Sequence, residues 1–343
     1  LVLNEALSAY IYITLLLDNH GRPINYLRLA VTDRCNLRCF YCMPEHGLDW
    51  LSRAELMSYE EMLRTCRVMM GMGINKIRIT GGEPFVRKDI MKLMTAISNL
   101  QGLNELTLTT NGVLTAPYVA DLKKIGVRSV NLSLDTLDAA RFFAITLRDE
   151  FASVMHTMQE LLKHGIEVKI NTVVMAGKNT QDIIPLVNLT KELPVSVRFI
   201  EEMPFNGDGH AYSGMTWDYV KIFEEIRSVF PDIQKTPDPT YSTSYNYNMP
   251  GHKGSIGIIA AYSRTFCGTC NRIRITPQGT LKTCLYDDGV LNIKDLMRSG
   301  ADDTVLQGGL LKAMSNREKD GWMAELKSMQ KPGKRESMAS IGG

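Results

Sequence analysis

The stretch YLRLAVTDRCNLRCFYC, residues 26–42, runs a short β-rich segment straight into three cysteines spaced C-x3-C-x2-C. The same beat recurs at KIRIT (76–80), ELTLT (105–109), SVNLSL (129–134), VKINTVV (168–174) and VSVRFI (195–200), each run ending in polar or glycine residues. Amphipathic helical stretches lie between them. In YEEMLRTCRVMMGMG (59–73), Met62, Leu63, Cys66, Met69 and Met70 form an apolar stripe that Gly71 and Gly73 close. Six strand–helix units in series imply parallel strands joined by right-handed crossovers, hence a partial barrel or a doubly wound sheet. The loops decide between the two. After the cysteine triplet come GGEPF, TNG, DTLD, MAGKN and EEMPF, one chemically loaded loop per strand. A barrel gathers such loops around one mouth, whereas a doubly wound sheet concentrates them at a single switch point. The expectation is an α/β protein: a partial (βα)6 TIM-type barrel with a C-terminal extension of short strands and helices.

With 343 residues the chain suffices for one large domain and an appendage. A formal net charge of +2 argues against a general nucleic-acid coat, so any cationic site must be local. No run approaches the roughly 20 apolar residues of a membrane span. Residues 1–17 read as an extension of uncertain standing: the apolar run Ile11–Leu17 has no Lys or Arg before it, unlike a signal or transit peptide. The barrel is expected over 18–236. Residues 237–330 form a C-terminal region that opens with PDPTYSTSYNYNMPGHKG (237–254), a connector by composition. It continues through the short strands IGIIAAY, RIRIT and TLKTCL to helices at 289–300 and 302–314. The polar stretch 331–343, ending in Gly-Gly, reads as mobile.

Six of the 7 cysteines fall in two clusters, the second being CGTCNRIRITPQGTLKTC (267–284). Such clustering points to metal ligation in a reducing compartment rather than to a disulfide scaffold. Zinc is the simpler reading of C-x2-C, but structural zinc sites close with four ligands, and no further Cys or His is placed to complete either triplet. Three thiolates suit an iron–sulfur cube with one iron left open. Cys66, on the helical stripe, reads as core, and the six histidines have no ligand spacing.

The triplet with Tyr41 before its last cysteine, followed on the next strand by GGEP, resembles the radical S-adenosylmethionine (SAM) superfamily. The motifs GRPINYLRLAVTDRCNLRCFYCMP, KIRITGGEPFVRKD, LTTNG, VNLSLDTLD, RFIEEMPF, FCGTCNRIRITPQGTLKTCL and the terminal IGG resemble, within it, the GTP 3′,8-cyclase family of molybdenum-cofactor biosynthesis. The resemblance runs from about Asp18 to Gly343. It implies a lyase with two 4Fe–4S clusters, one on Cys35, Cys39 and Cys42 that chelates SAM, the other on Cys267, Cys270 and Cys284 that receives guanine. It further implies SAM contacts from Tyr41, Gly82, Ser133 and Met203, with Gly81 and Gly82 allowing close backbone approach. Arg28, Arg78, Thr109, Lys169, Arg272, Ile273 and Arg274 match GTP-binding positions, and Lys76 and Arg198 are weaker candidates. The Gly342–Gly343 tail is expected to reach the active site. Where the family often carries paired basic residues this chain has Leu147 before Arg148, which weakens any role for that pair.

Implied partners are GTP, an external one-electron donor, the next enzyme (which makes cyclic pyranopterin monophosphate) and a second copy in a homodimer, with no nucleic acid or membrane. The implied location is the cytoplasm, or the mitochondrial matrix in a eukaryote. Two other readings stand beside this one: a different radical SAM enzyme with a C-terminal cluster, and a non-enzymatic iron–sulfur carrier. Neither accounts for the Arg272–Arg274 pair.

Overall fold

Leu27, Leu29, Ile77, Ile79, Val130, Leu132, Val168 and Ile170 are almost fully buried in one apolar core, while Arg28, Arg78, Asn131 and Lys169 alternate with them on the same strands. Alternate residues of a strand face opposite sides, so each strand has an apolar face toward helices and a polar face toward the barrel interior. That inverts the usual barrel interior of Val, Ile and Leu.

The computed structural model describes residues 16–44, 46–205, 215–330 and 336–342. The expected strands form as β1 (Tyr26–Ala30), β2 (Lys76–Thr80), β3 (Glu105–Thr110), β4 (Ser129–Ser133), β5 (Glu167–Val174) and β6 (Val195–Glu201). Between and after them lie α1 (Tyr59–Gly71), α2 (Ile90–Ser98), α3 (Val119–Lys124), α4 (Ala139–Thr146), α5 (Phe151–Lys163), α6 (Ile183–Glu192) and α7 (Tyr219–Val229). Helix α1 starts on a capping box, in which Ser58 accepts from the Glu61 amide and Glu61 from the Ser58 amide. Its stripe is as expected: Met62, Cys66 and Met69 are buried in the core.

The remaining strands are β7 (Gln234–Lys235), β8 (Ser244–Asn248), β9 (Ser255–Ile259), β10 (Arg272–Ile275), β11 (Thr280–Lys282) and β12 (Leu291–Asn292). They are followed by α8 (Ile293–Arg298), α9 (Asp303–Met314), α10 (Gly321–Met329) and α11 (Met338–Ile341). Among the described residues, these strands form a 12-stranded sheet ordered β12-β11-β10-β1-β2-β3-β4-β5-β6-β9-β8-β7. The six barrel strands are parallel; β10 continues them beside β1 and β9 beside β6, also parallel. The fold is thus the partial barrel, with its C-terminal region flanking both edges.

Two expectations are corrected. The supposed connector 237–254 contains β8, which pairs antiparallel with β9. Tyr245 and Tyr247 stack on Tyr219 and Phe223 at 5.5 and 4.9 Å, so aromatic packing overrides a composition typical of loops. The described part of the expected mobile tail, 336–342, is docked: Ala339 and Ile341 are buried, and Glu336 pairs with the fully buried Lys282. Residues 1–15 and Gly343 lie outside the described residues. Among the described residues no helix is long and apolar enough to cross a membrane.

Candidate active site

The first cysteine triplet lies in the loop after β1, where backbone from three strand ends converges. The Gly82 amide donates to Thr32 O at 2.8 Å and the Glu83 amide to Arg34 O at 2.9 Å. A Cβ on Gly81 would fall 2.4 Å from Thr32 O, and one on Gly82 would fall 2.3 Å from Arg34 O. The glycines are therefore required first by the chain's own cysteine loop. Glu83, fully buried, accepts from the Phe85 and Asn111 amides and from Thr110 Oγ1, tying this loop to the end of β3. Burial pushes its carboxyl up to about 7 against those hydrogen bonds. Asn111 Nδ2 donates to Cys35 Sγ at 3.6 Å and to Asn36 Oδ1 at 2.8 Å. Burial, then the charge on Glu83, pushes the Cys35 thiol up to about 11; burial and Cys35 push Cys42 to about 12. Tyr41 donates to Asp135 Oδ2 at 2.7 Å. Ser133 ends β4 opposite Asn171, and Met203 packs on the small cluster of Phe205, Tyr286, Ala324 and Ile341 beside Cys284.

The second triplet is carried by the turn before β10 and by the residues after β11. Two buried arginines clasp it. Arg22 Nη1 donates to Cys267 O at 3.0 Å, and Arg317 donates to Cys270 Sγ, Cys270 O and Thr283 O at 3.2, 2.9 and 2.9 Å. Burial alone would raise the Cys270 thiol, but the Arg272 and Arg317 guanidiniums hold it below its ordinary value. Burial raises Cys267 and pushes Cys284 up to about 12. All six cysteines are free. Thiol donors in threes, with hydrogen-bond donors aimed at Cys35 and Cys270 sulfurs, fit iron–sulfur ligation.

Between the triplets lies the polar interior. Arg28 is directly opposite Arg78 on one side and Arg274 on the other. Burial and then Arg274 hold the Arg28 guanidinium well below its ordinary pKa, and burial first, then Arg78 for Arg198 and Arg272 for Arg274, brings each of those two to about 10. Arg28 Nε, Arg78 Nε, Arg198 Nε, Thr109 Oγ1, Asn131 Oδ1 and Asn171 Oδ1 are buried without a hydrogen-bond partner among the described residues. Buried polar groups are ordinarily satisfied, so this row marks a place for a polar ligand, and the surplus of guanidinium selects an anionic one. Lys169 pairs with Glu167 at 2.9 Å and Lys76 with Glu105 at 2.6 Å. Ile273 is buried in the apolar core beside Leu27, and its side chain is not brought to the interior. Arg148 is exposed and donates to Leu147 O. The tail enters the same space: Gly342 O accepts from Arg274 Nη1 at 2.5 Å and Arg28 Nη2 at 3.5 Å. Sequence reasoning missed Asn131, Asn171, Asp135, Arg22 and Arg317. The asparagines alone carried a signal, since they alternate with apolar residues on strands.

A model described as "Radical SAM superfamily" matches residues 29–190, and one described as "Molybdenum Cofactor Synthesis C" matches 195–322. The chain is 38% identical to the GTP 3′,8-cyclase of Clostridium perfringens, covering 95% of this chain and 99% of that protein. It is 40% identical to the mitochondrial GTP 3′,8-cyclase of Arabidopsis thaliana, covering 85% and 75%. To Molybdenum cofactor biosynthesis protein 1 of Bos taurus it is 40% identical over 85% of this chain, but it spans only 46% of that protein. Among solved structures, Streptococcus suis SuiB bound to S-adenosylmethionine matches with a TM-score of 0.60 at 18% identity, over 84% of this chain and 68% of that one. Native anSMEcpe with bound AdoMet matches with 0.58 at 18% identity, over 89% and 84%. At these identities the structures speak for the fold.

Proposed function

The chain belongs to the GTP 3′,8-cyclase family, and from that premise we propose that it cyclises GTP to (8S)-3′,8-cyclo-7,8-dihydroguanosine 5′-triphosphate, opening molybdenum-cofactor biosynthesis. The observation that carries the proposal is the row of buried arginine Nε, Thr109 Oγ1 and asparagine Oδ1 atoms, unpartnered among the described residues, between two cysteine triplets. Cys35, Cys39 and Cys42 would hold one 4Fe–4S cluster, and Cys267, Cys270 and Cys284 the other. When bound, the first cluster supplies the electron that cleaves SAM, and the second offers guanine an open iron.

The chain's own residues bind, orient and exclude water. Arg28, Arg78, Lys169, Arg272 and Arg274 contact the GTP, and a guanidinium fork suits phosphate oxygens. Thr109, with Asn131 beside it in register, offers neutral hydrogen bonds on the opposite wall. Tyr41, Gly82, Ser133 and Met203 line the SAM side, and Asp135 fixes the Tyr41 ring through its hydroxyl. Holding SAM and ribose at fixed separation is the protein's main contribution to rate. An external one-electron donor, the next enzyme of the pathway and a second copy of the chain complete the proposed partners.

Anaerobic reconstitution with iron, sulfide, dithionite, SAM and GTP tests the reading. The expected result is 5′-deoxyadenosine formed in step with the cyclised nucleotide, and none when ATP replaces GTP. In Cys284→Ser the first cluster stays, so SAM cleavage remains chemically possible, while cyclised product should disappear and iron fall by about half, as for losing one of two similar cubes. A 5′-deoxyadenosine yield indifferent to the nucleotide would sink the proposal.

A further inference from the structure

One buried charge has no task among the residues that face either ligand. Arg317 lies between α9 and α10 and is only 4% exposed. Its Nε donates to Thr283 O at 2.9 Å, its Nη1 to Cys270 O at 2.9 Å and Asp18 Oδ2 at 3.1 Å, and its Nη2 to Cys270 Sγ at 3.2 Å and Arg272 O at 3.1 Å. One guanidinium thus touches Cys270 itself, the carbonyl preceding Cys284 and the strand that carries Arg272 and Arg274. Asp18 orients it. The same carboxylate, closed to solvent, pairs with Arg22 Nε at 2.6 Å, and Arg22 in turn holds Cys267 O. Two guanidiniums on one carboxylate leave a positive charge over, beside three thiols that carry negative charge when they ligate metal.

A backbone clamp alone would need only the carbonyl contacts. The N–H···S bond adds something those contacts do not supply. A donor and a cation at a cluster sulfur stabilise the extra electron of the reduced state, and so move the reduction potential upward. We propose that Arg317, oriented by Asp18, is a positioning residue of the second cysteine site that holds the Cys270 thiolate and raises the potential of the cluster bound there. This rests on the reading of that triplet as a cluster site. The half-reaction is one electron taken from an external reductant by the oxidised cluster, with no bond made or broken.

The test is an EPR-monitored potentiometric titration of the reconstituted two-cluster enzyme, with dithionite as reductant. The second-cluster signal is the one that remains in Cys39→Ser. In Arg317→Lys and Arg317→Gln, with iron and sulfide retained, its midpoint should move to more negative potential, furthest in the glutamine variant, while the first-cluster midpoint stays. An unmoved second midpoint at full iron content overturns the proposal. If the variants lose iron, wild-type enzyme carrying 15N-guanidino arginine decides. Guanidinium nitrogen hyperfine coupling on the second-cluster signal that survives in Arg272→Lys and Arg274→Lys supports the contact, and its absence overturns it. A wild-type enzyme with no second signal and half the expected iron would instead remove the cluster reading itself.

Discussion

Arg28 is poorly placed for the fold and well placed for the site. It stands in register beside Arg78 and Arg274 on the neighbouring strands, its Nε has no partner among the described residues, and burial with these like charges depresses its pKa. Like charges gathered in a partly dry space destabilise the protein until a counter-charge arrives. Arg28→Met is therefore expected to raise the thermal midpoint of the ligand-free protein while lowering GTP affinity by about 1.5–3 kcal/mol, as for a charge-assisted hydrogen bond. SAM affinity should not change. Calorimetric titration and scanning calorimetry on the same variant check both halves, and a lower midpoint would make Arg28 a structural residue. This cluster was legible in sequence because a strand alternating charge with Leu or Ile has few outlets for the charge. Arg317 was not, because its carboxylate partner lies 299 positions away and a solitary Arg in a polar turn ordinarily faces water.

At the scale of elements, α11 has an influence beyond its length. Ser337 Oγ donates to Cys42 O at 2.5 Å, Glu336 pairs with Lys282, the Met338 amide donates to Phe205 O at 2.9 Å, and Gly342 O meets Arg274. One short segment thus touches the loops of both triplets. Gly342 ends it at φ +79°, where a Cβ would fall 2.5 Å from Thr80 Oγ1 and 2.9 Å from Ala30 Cβ. Gly342→Leu should leave folding and iron content intact while cyclisation falls at least tenfold, about 1.4 kcal/mol in barrier. Turnover equal to wild type would reduce the segment to a packed end. The barrel strands were legible because each has its own apolar alternation. Helix α11 and strand β8 were hidden for one reason: their residues read as loop, and they are ordered by contacts far along the chain.

The whole molecule is less divisible than its sequence suggests. β10 covers β1 and β9 covers β6, so residues 18–236 alone would present two bare parallel edges. Expressed by themselves they should aggregate or unfold without a cooperative transition, and addition of residues 237–343 should recover soluble material. A cooperative melt of the fragment alone would show that the barrel stands unaided. Pairing across this distance cannot be read from local pattern: Asn25 and Asn271, at the foot of β1 and β10, are 246 positions apart and joined side chain to side chain. The consequence reaches back to the chain's birth. Translation proceeds at roughly 5–20 residues per second. β6 is complete at Glu201, but its covering strand begins at Ser255 and that of β1 at Arg272. For several seconds each nascent polypeptide leaves the ribosome with a half-built barrel open on both sides. Its guanidiniums then lie side by side with no counter-charge between them, and a chaperone that binds exposed strands has its longest opportunity.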